Sequence, residues 1–121
     1  MPVEFYKVLH ICGIIMLFSG LAALWGVYST SAPARQQTRT VLAIIHGFGM
    51  LLILVSGFGM AAKLGFMAAL PLWIYLKLAI WLLLGASMVL AKRKAHWGPG
   101  LICLWILLGT AAAYLAIYKP T

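Results

Sequence analysis

Residues 41–62 read VLAIIHGFGMLLILVSGFGMAA, a run of 22 positions without one Asp, Glu, Lys or Arg. About 20 such residues, coiled as an α-helix, cross the roughly 30 Å of hydrocarbon in a bilayer. The stretch therefore predicts a membrane span, and three more apolar runs lie at about 8–28, 70–91 and 98–118, the second of these interrupted by Lys77. The segments between them, STSAPARQQTRT, KLGFMAALP and KRKAHWGPG, hold Pro, Gly or clustered cations. Such residues end helices or mark the interface. Pro71 and Pro99 suit the first turns of the third and fourth helices. The expected fold is all-α, an integral membrane four-helix bundle forming one domain over residues 1–121.

Composition agrees. Hydrophobic residues make up 65% of the chain and charged residues 8%, against roughly a quarter charged in soluble domains. This excludes an ordinary soluble domain, and it excludes a disordered tail, which needs the opposite balance. Nine Lys and Arg face a single acid, Glu4, for a net charge of +8. The cations sit between apolar runs rather than along one basic face, so they read as loop charges beside a membrane, not as a nucleic-acid surface. Without paired carboxylates, several chemistries fall away: carboxylate acid–base catalysis, a Ser-His-Asp triad, an oxygen-ligand Ca²⁺ or Mg²⁺ site, and a carboxylate proton relay in the bilayer. Cys12 and Cys103 lack a C-x-x-C spacing and read as buried, reduced thiols.

Ala32-Pro33-Ala34 imitates a signal cleavage site, but the apolar run before it is long for a signal, so the first helix is expected to be retained. The first and third loops carry Arg35, Arg39, Lys92, Arg93 and Lys94, against Lys7, Lys63 and Lys119 on the other side. This bias predicts a multi-pass membrane protein with those loops cytoplasmic and both termini outside. Trp25, Tyr28, Trp73, Trp97 and Tyr118 lie near run ends, as aromatic belts do.

A polar or ionisable side chain inside a membrane helix is costly and is a candidate for function. Three stand out: His10, His46 and Lys77. His10 shares a helical face with Gly13, Leu17, Gly20 and Leu24, where small residues admit either another helix or a flat ligand. His46 shares its face with Gly49, Met50, Ile53, Gly57 and Met60, and Arg39 lies seven residues earlier. A haem would suit that face, with iron on the imidazole, room above the glycines and a propionate on Arg39. Helix packing is the alternative at both histidines. Lys77, between Trp73 and Trp81, either snorkels to the headgroups or faces the bundle interior to hold an anionic group, and Lys7 could serve similarly near His10.

Depth sorts these residues. With antiparallel neighbours, His10 lies near the outer face and His46 near the inner one, offset by roughly 20 Å, too far for one iron to join them. Lys77 falls at the level of His10, whereas Met88 and the loop residue His96 fall nearer His46. Two polar sites are therefore expected, one pairing His10 with Lys77 and one pairing His46 with Met88 or His96. Met16, Met50, Met60 and Met88 otherwise read as core filling, and a copper site is disfavoured by the lack of Met-x-x-Met clusters.

His10-Ile11-Cys12-Gly13, continuing to Phe18-Ser19-Gly20-Leu21, resembles the first helix of the HemJ-type bacterial protoporphyrinogen oxidases, and Trp73-Ile74-Tyr75-Leu76-Lys77-Leu78 is similar to their third. The resemblance implies a small helical membrane protein associated with haem b, with His10 and Lys77 as the functional pair. The expected function is haem b binding through histidine, with His10, His46 and Met88 as candidate metal ligands and one or two haems. Lys7, Gly13, Gly20, Arg39, Gly49 and Lys77 would line the cofactor, and Lys77 is also the candidate catalytic residue. The chemistry would be electron transfer or porphyrin redox, with oxidase activity left open. Expected partners are lipid, a porphyrin substrate or a quinone, and a second copy of the chain packing through Gly57, Gly59, Gly109, Ala112 and Ala113, with no nucleic acid. A small transporter or channel subunit and a cofactor-free scaffold are the alternatives.

Overall fold

The computed structural model describes residues 2–30, 36–65 and 68–118. They form four helices in chain order: α1 (Val3–Ser29), α2 (Gln36–Lys63), α3 (Leu72–Arg93) and α4 (Gly100–Tyr118). A single 3-10 turn, Ala95–Trp97, joins the last two. Each helix is long and apolar enough to cross a membrane, and the described residues contain no strand. The expected all-α bundle is what the chain forms. Arg35, Lys119 and the Ala32–Ala34 segment lie outside the described residues.

The helix limits follow local chemistry. Pro2 and Pro71 stand just before α1 and α3, where a missing backbone N–H costs nothing. The Pro99 carbonyl accepts a bond from the Cys103 N–H at 3.1 Å, opening α4. At the far end of α1, Ser29 and Thr30 hydroxyls donate to the carbonyls of Gly26 and Val27, satisfying groups that the helix leaves open. Gly65 follows α2 with φ of +81°, the left-handed conformation that lets a helix stop. Two helices begin earlier than their apolar runs. α1 starts at Val3 rather than near Val8, and α2 at Gln36 rather than Val41. Hydropathy marks the stretch that crosses lipid, while the helix continues into the headgroups.

Packing is uneven. α1 and α2 form a close antiparallel pair along most of their length, while α3 rests mainly on α1 and α4 and touches α2 at few points. The core of Leu17, Leu21, Leu24, Leu84, Ala91, Leu101 and Trp105 fills the half of the bundle that holds the first and third connections. Because Arg39, Lys92, Arg93 and Lys94 cluster there, it is the basic end. Large apolar side chains point outward instead of inward, with Val8, Ile44, Leu107 and Ile117 between 62% and 75% exposed. In water each would forgo about 1.5–3 kcal/mol of burial, whereas lipid solvates them.

Two expectations change. Cys12 and Cys103 are exposed on the outer faces of α1 and α4, not buried. Gly57, Gly59 and Gly109, expected to join a second copy, face His10, Tyr6 and Phe18 of the same chain.

Candidate functional site

The α1–α2 pairing rests on backbone meeting backbone. A Cβ added to Gly49 would stand 2.6 Å from the Leu17 nitrogen and 2.7 Å from the Gly13 oxygen. One added to Gly20 would lie 2.9 Å from the His46 nitrogen, and one at Gly13 would lie 2.9 Å from the Gly49 oxygen. Of the two uses the sequence allows for these glycines, the structure shows the helix contact, and it leaves no gap between the helices at those positions. His46 lies in this seam, 2% exposed, with its Nδ1–H donating to the Leu17 carbonyl at 3.2 Å. Its Nε2 is enclosed and has no hydrogen-bond partner.

His10 meets α2 about 15 Å farther along, since its partner Ser56 lies ten residues beyond His46. The ring Nδ1 stands 3.0 Å from Ser56 Oγ. Ser56, fully buried, donates its single hydroxyl proton to the Leu52 carbonyl at 2.5 Å. The hydroxyl oxygen is therefore the acceptor toward His10, and the imidazole proton sits on Nδ1. The ring's Cε1 is its nearest atom to Gly57, 3.6 Å from where an added Cβ would stand, and Nε2 keeps its lone pair. Both histidines thus share one arrangement, an Nδ1–H tied to the protein and an Nε2 with a lone pair, as in histidines that bind metals.

His10 borders a cavity of about 380 Å³ between α1, α2 and α3, at the end of the bundle away from the core. Lys7 and Lys77 also line it, with Trp73, Trp81 and Phe58 as flat apolar walls. Lys77 is partly buried, its Nζ 5.9 Å from the Trp73 ring centroid, and it lines the same cavity as His10. Lys7 is exposed, one helical turn before His10. The expected pairing of His10 with Lys77 is therefore present, although 67 residues separate them.

Of the few points where α2 meets α3, one lies beside the cavity at Trp81. The Trp81 indole N–H donates to the Met50 carbonyl at 3.0 Å. The Met50 methyl fills the space that Gly85 leaves empty, where an added Cβ would stand 2.7 Å from it. The sequence reading missed Ser56 and the anchoring role of Trp81. Ser56 carried a signal, a hydroxyl in an otherwise apolar run, whereas nothing in the sequence pairs Trp81 with a carbonyl 31 residues away.

The second expected site does not assemble in the same way. His96 is exposed beside Trp97, with ring centroids 6.4 Å apart, and is not with His46. Met88 packs against the core, and its sulfur makes no bond to the His46 Nε2. Arg39 is half-buried, donating from NH2 to Gln36 Oε1 at 3.1 Å while its Nε is enclosed without a partner. Among the described residues, no three of His, Cys, Asp and Glu converge as a metal-holding group. The arrangement offers one nitrogen lone pair beside two cations in an apolar cleft, which suits a flat anionic amphiphile.

Fold and site together define a multi-pass, all-α membrane protein with an apolar cleft, bordered by His10, Lys7 and Lys77, in one half of its bundle. Compared with known proteins, the chain matches no family model, no curated protein and no solved structure.

Proposed function

We propose that this chain is a haem b-binding protein of a bacterial inner membrane, acting in electron transfer or porphyrin redox chemistry. The observation that carries the reading is the His10 imidazole, its proton fixed on Nδ1 by Ser56, set in one cavity with Lys77 and Lys7. His10 Nε2 would ligate the iron, and the two lysines would meet the propionates. The cavity's size lies within the roughly 300–1,000 Å³ of small-molecule sites. Its walls of Trp73, Trp81 and Phe58 suit a planar macrocycle. Haem bound there would supply one-electron redox chemistry, and the chain would tune its potential through the His10 imidazole and the burial of the site. A porphyrin substrate would use the same walls and cations, and a quinone would serve as redox partner from the surrounding lipid. His46 is a second ligand candidate by its tautomer, but the glycine seam around it favours one haem over two. The cation bias supports a cytoplasmic basic end and periplasmic termini.

The test is the visible spectrum of the detergent-purified protein, oxidised and dithionite-reduced, with a pyridine haemochrome assay. A Soret band with reduced α and β bands, near one haem per chain, is expected. His10→Ala should abolish or shift it, Lys77→Gln should weaken haem retention, and His46→Ala should leave it nearly unchanged. A colourless protein from haem-supplemented cells overturns the reading in favour of a transporter subunit or a scaffold.

A further inference from the structure

The basic end of the bundle has no acid with which to pair. Lys92 and Arg93 close α3 and Lys94 follows directly, all three exposed, while Arg39 stands in the first turns of α2. The one acidic side chain in the chain, Glu4, lies in the first turn of α1, at the opposite end of a 27-residue helix. That separation is about 40 Å, several times the Debye length of about 8 Å at physiological salt. Glu4 therefore does nothing to neutralise the basic end.

These cations sit on a fixed ledge. Ala91 is fully buried and Ala95 is 6% exposed, so the chain is pinned on both sides of Lys92, Arg93 and Lys94. The Lys94 Nζ lies 5.7 Å from the Trp97 ring centroid, and that ring is itself exposed. An indole stacked on a cation, at the point where an apolar helix ends, is the side-chain arrangement of a headgroup boundary. The apolar part of α3 stops at Ala91 and that of α4 begins at Leu101, which puts the ledge at the edge of the hydrocarbon.

We propose that this ledge is a binding site for the phosphate headgroup of an anionic phospholipid. Lys92, Arg93 and Lys94 donate to its phosphate oxygens, and Trp97 packs at the junction of headgroup and acyl chain. A lipid is favoured over a soluble anion because its phosphate is held at the depth of the cations, while its chains lie against the exposed apolar faces of the helices. One Lys or Arg near an anionic surface contributes about fivefold in affinity, so three give roughly a hundredfold preference over a zwitterionic lipid. The inference is independent of what fills the cavity at the other end.

The experiment titrates the full chain, purified in a neutral detergent, with phosphatidylglycerol or phosphatidylcholine and counts retained lipids by native mass spectrometry. Wild type should prefer phosphatidylglycerol by roughly a hundredfold, K92Q/R93Q/K94Q should bind both lipids about equally, and K92R/K94R should keep the preference. Inorganic phosphate at matched concentration should not displace the lipid. Equal retention of both lipids by wild type overturns the proposal, as does a preference that survives in a triple variant of unchanged circular dichroism. Displacement by inorganic phosphate overturns it too, in favour of a soluble-anion site. Should the triple variant misfold, raising sodium chloride on wild type decides: a preference that falls with salt supports the site, and one indifferent to salt refutes it.

Discussion

Gly49→Ala adds one methyl group where the structure has no room for it. The new Cβ would lie 2.6 Å from the Leu17 nitrogen, 2.7 Å from the Gly13 oxygen and 3.1 Å from Leu17 Cα, all of them backbone atoms that cannot rotate aside. Comfortable contacts need about 3.5 Å, so α1 and α2 must part by nearly ~1 Å. That movement carries the His46 Nδ1···Leu17 carbonyl bond, now 3.2 Å, out of hydrogen-bonding range. Overpacking costs about 1–3 kcal/mol and a lost interhelical bond in a membrane about 0.6 kcal/mol. Alanine's better helix propensity returns about 0.5–1 kcal/mol. The expected net loss is therefore about 1–3 kcal/mol. Gly47, two residues earlier, faces outward with nothing within 4 Å of an added Cβ. Gly47→Ala should accordingly be neutral or stabilising by up to about 1 kcal/mol. Reversible unfolding in mixed micelles of rising dodecyl sulfate content, followed by circular dichroism, measures both. A Gly49→Ala protein within about 0.5 kcal/mol of wild type, or a Gly47→Ala protein equally damaged, would refute the backbone seam.

Ser56→Ala removes the acceptor for the His10 Nδ1–H; a loss of about 1 kcal/mol is expected, and nitrogen-15 spectra of His10 should change from one tautomer to a mixture. A spectrum still showing Nδ1–H alone would disprove the assignment of Ser56 as acceptor. Trp81→Phe keeps the ring but loses the bond to the Met50 carbonyl, so amide exchange should quicken in α3 while α1 and α2 keep their protection; equal rates throughout would contradict this. Gly85→Ala meets only the mobile methyl of Met50 and should cost under about 1 kcal/mol in the same micelle assay. A loss matching that of Gly49→Ala would mean that Met50 cannot give way.

How much of this was legible in the sequence depends on the length scale of each signal. The four spans were, because about 20 apolar residues is a requirement set by the bilayer and not by neighbouring helices. The helix ends were less so: Gln36–Thr40 is polar yet helical, since headgroups and water tolerate a helix as readily as a loop. The nearness of His10 and Lys77 could be read as matching depth in neighbouring helices. The partner of the glycine faces could not, because period and residue size describe a flat stripe without saying what lies on it. His96 was misplaced for a related reason. Its depth was close to that of His46, but it stands exposed in the 3-10 turn Ala95–Trp97, and the facing of a short turn has no periodicity for the sequence to reveal.

The uneven packing gives the cleft one wall made by the tightly joined α1–α2 pair and one wall, on α3, that meets α2 at few points. His10 is held by Ser56 on the tightly joined α1–α2 pair, whereas Lys77 rides on α3, tied to α2 through Trp81 and Met50. The two sides should therefore control different kinetic constants. Changes at His10 would alter how strongly an occupant is held, and changes at the Trp81 pivot would alter how often the cleft opens and thus how fast an occupant leaves. The α3 wall presents exposed Leu72, Leu76, Leu82 and Leu83, so anything entering the cleft past it would come from molecules dissolved in the bilayer.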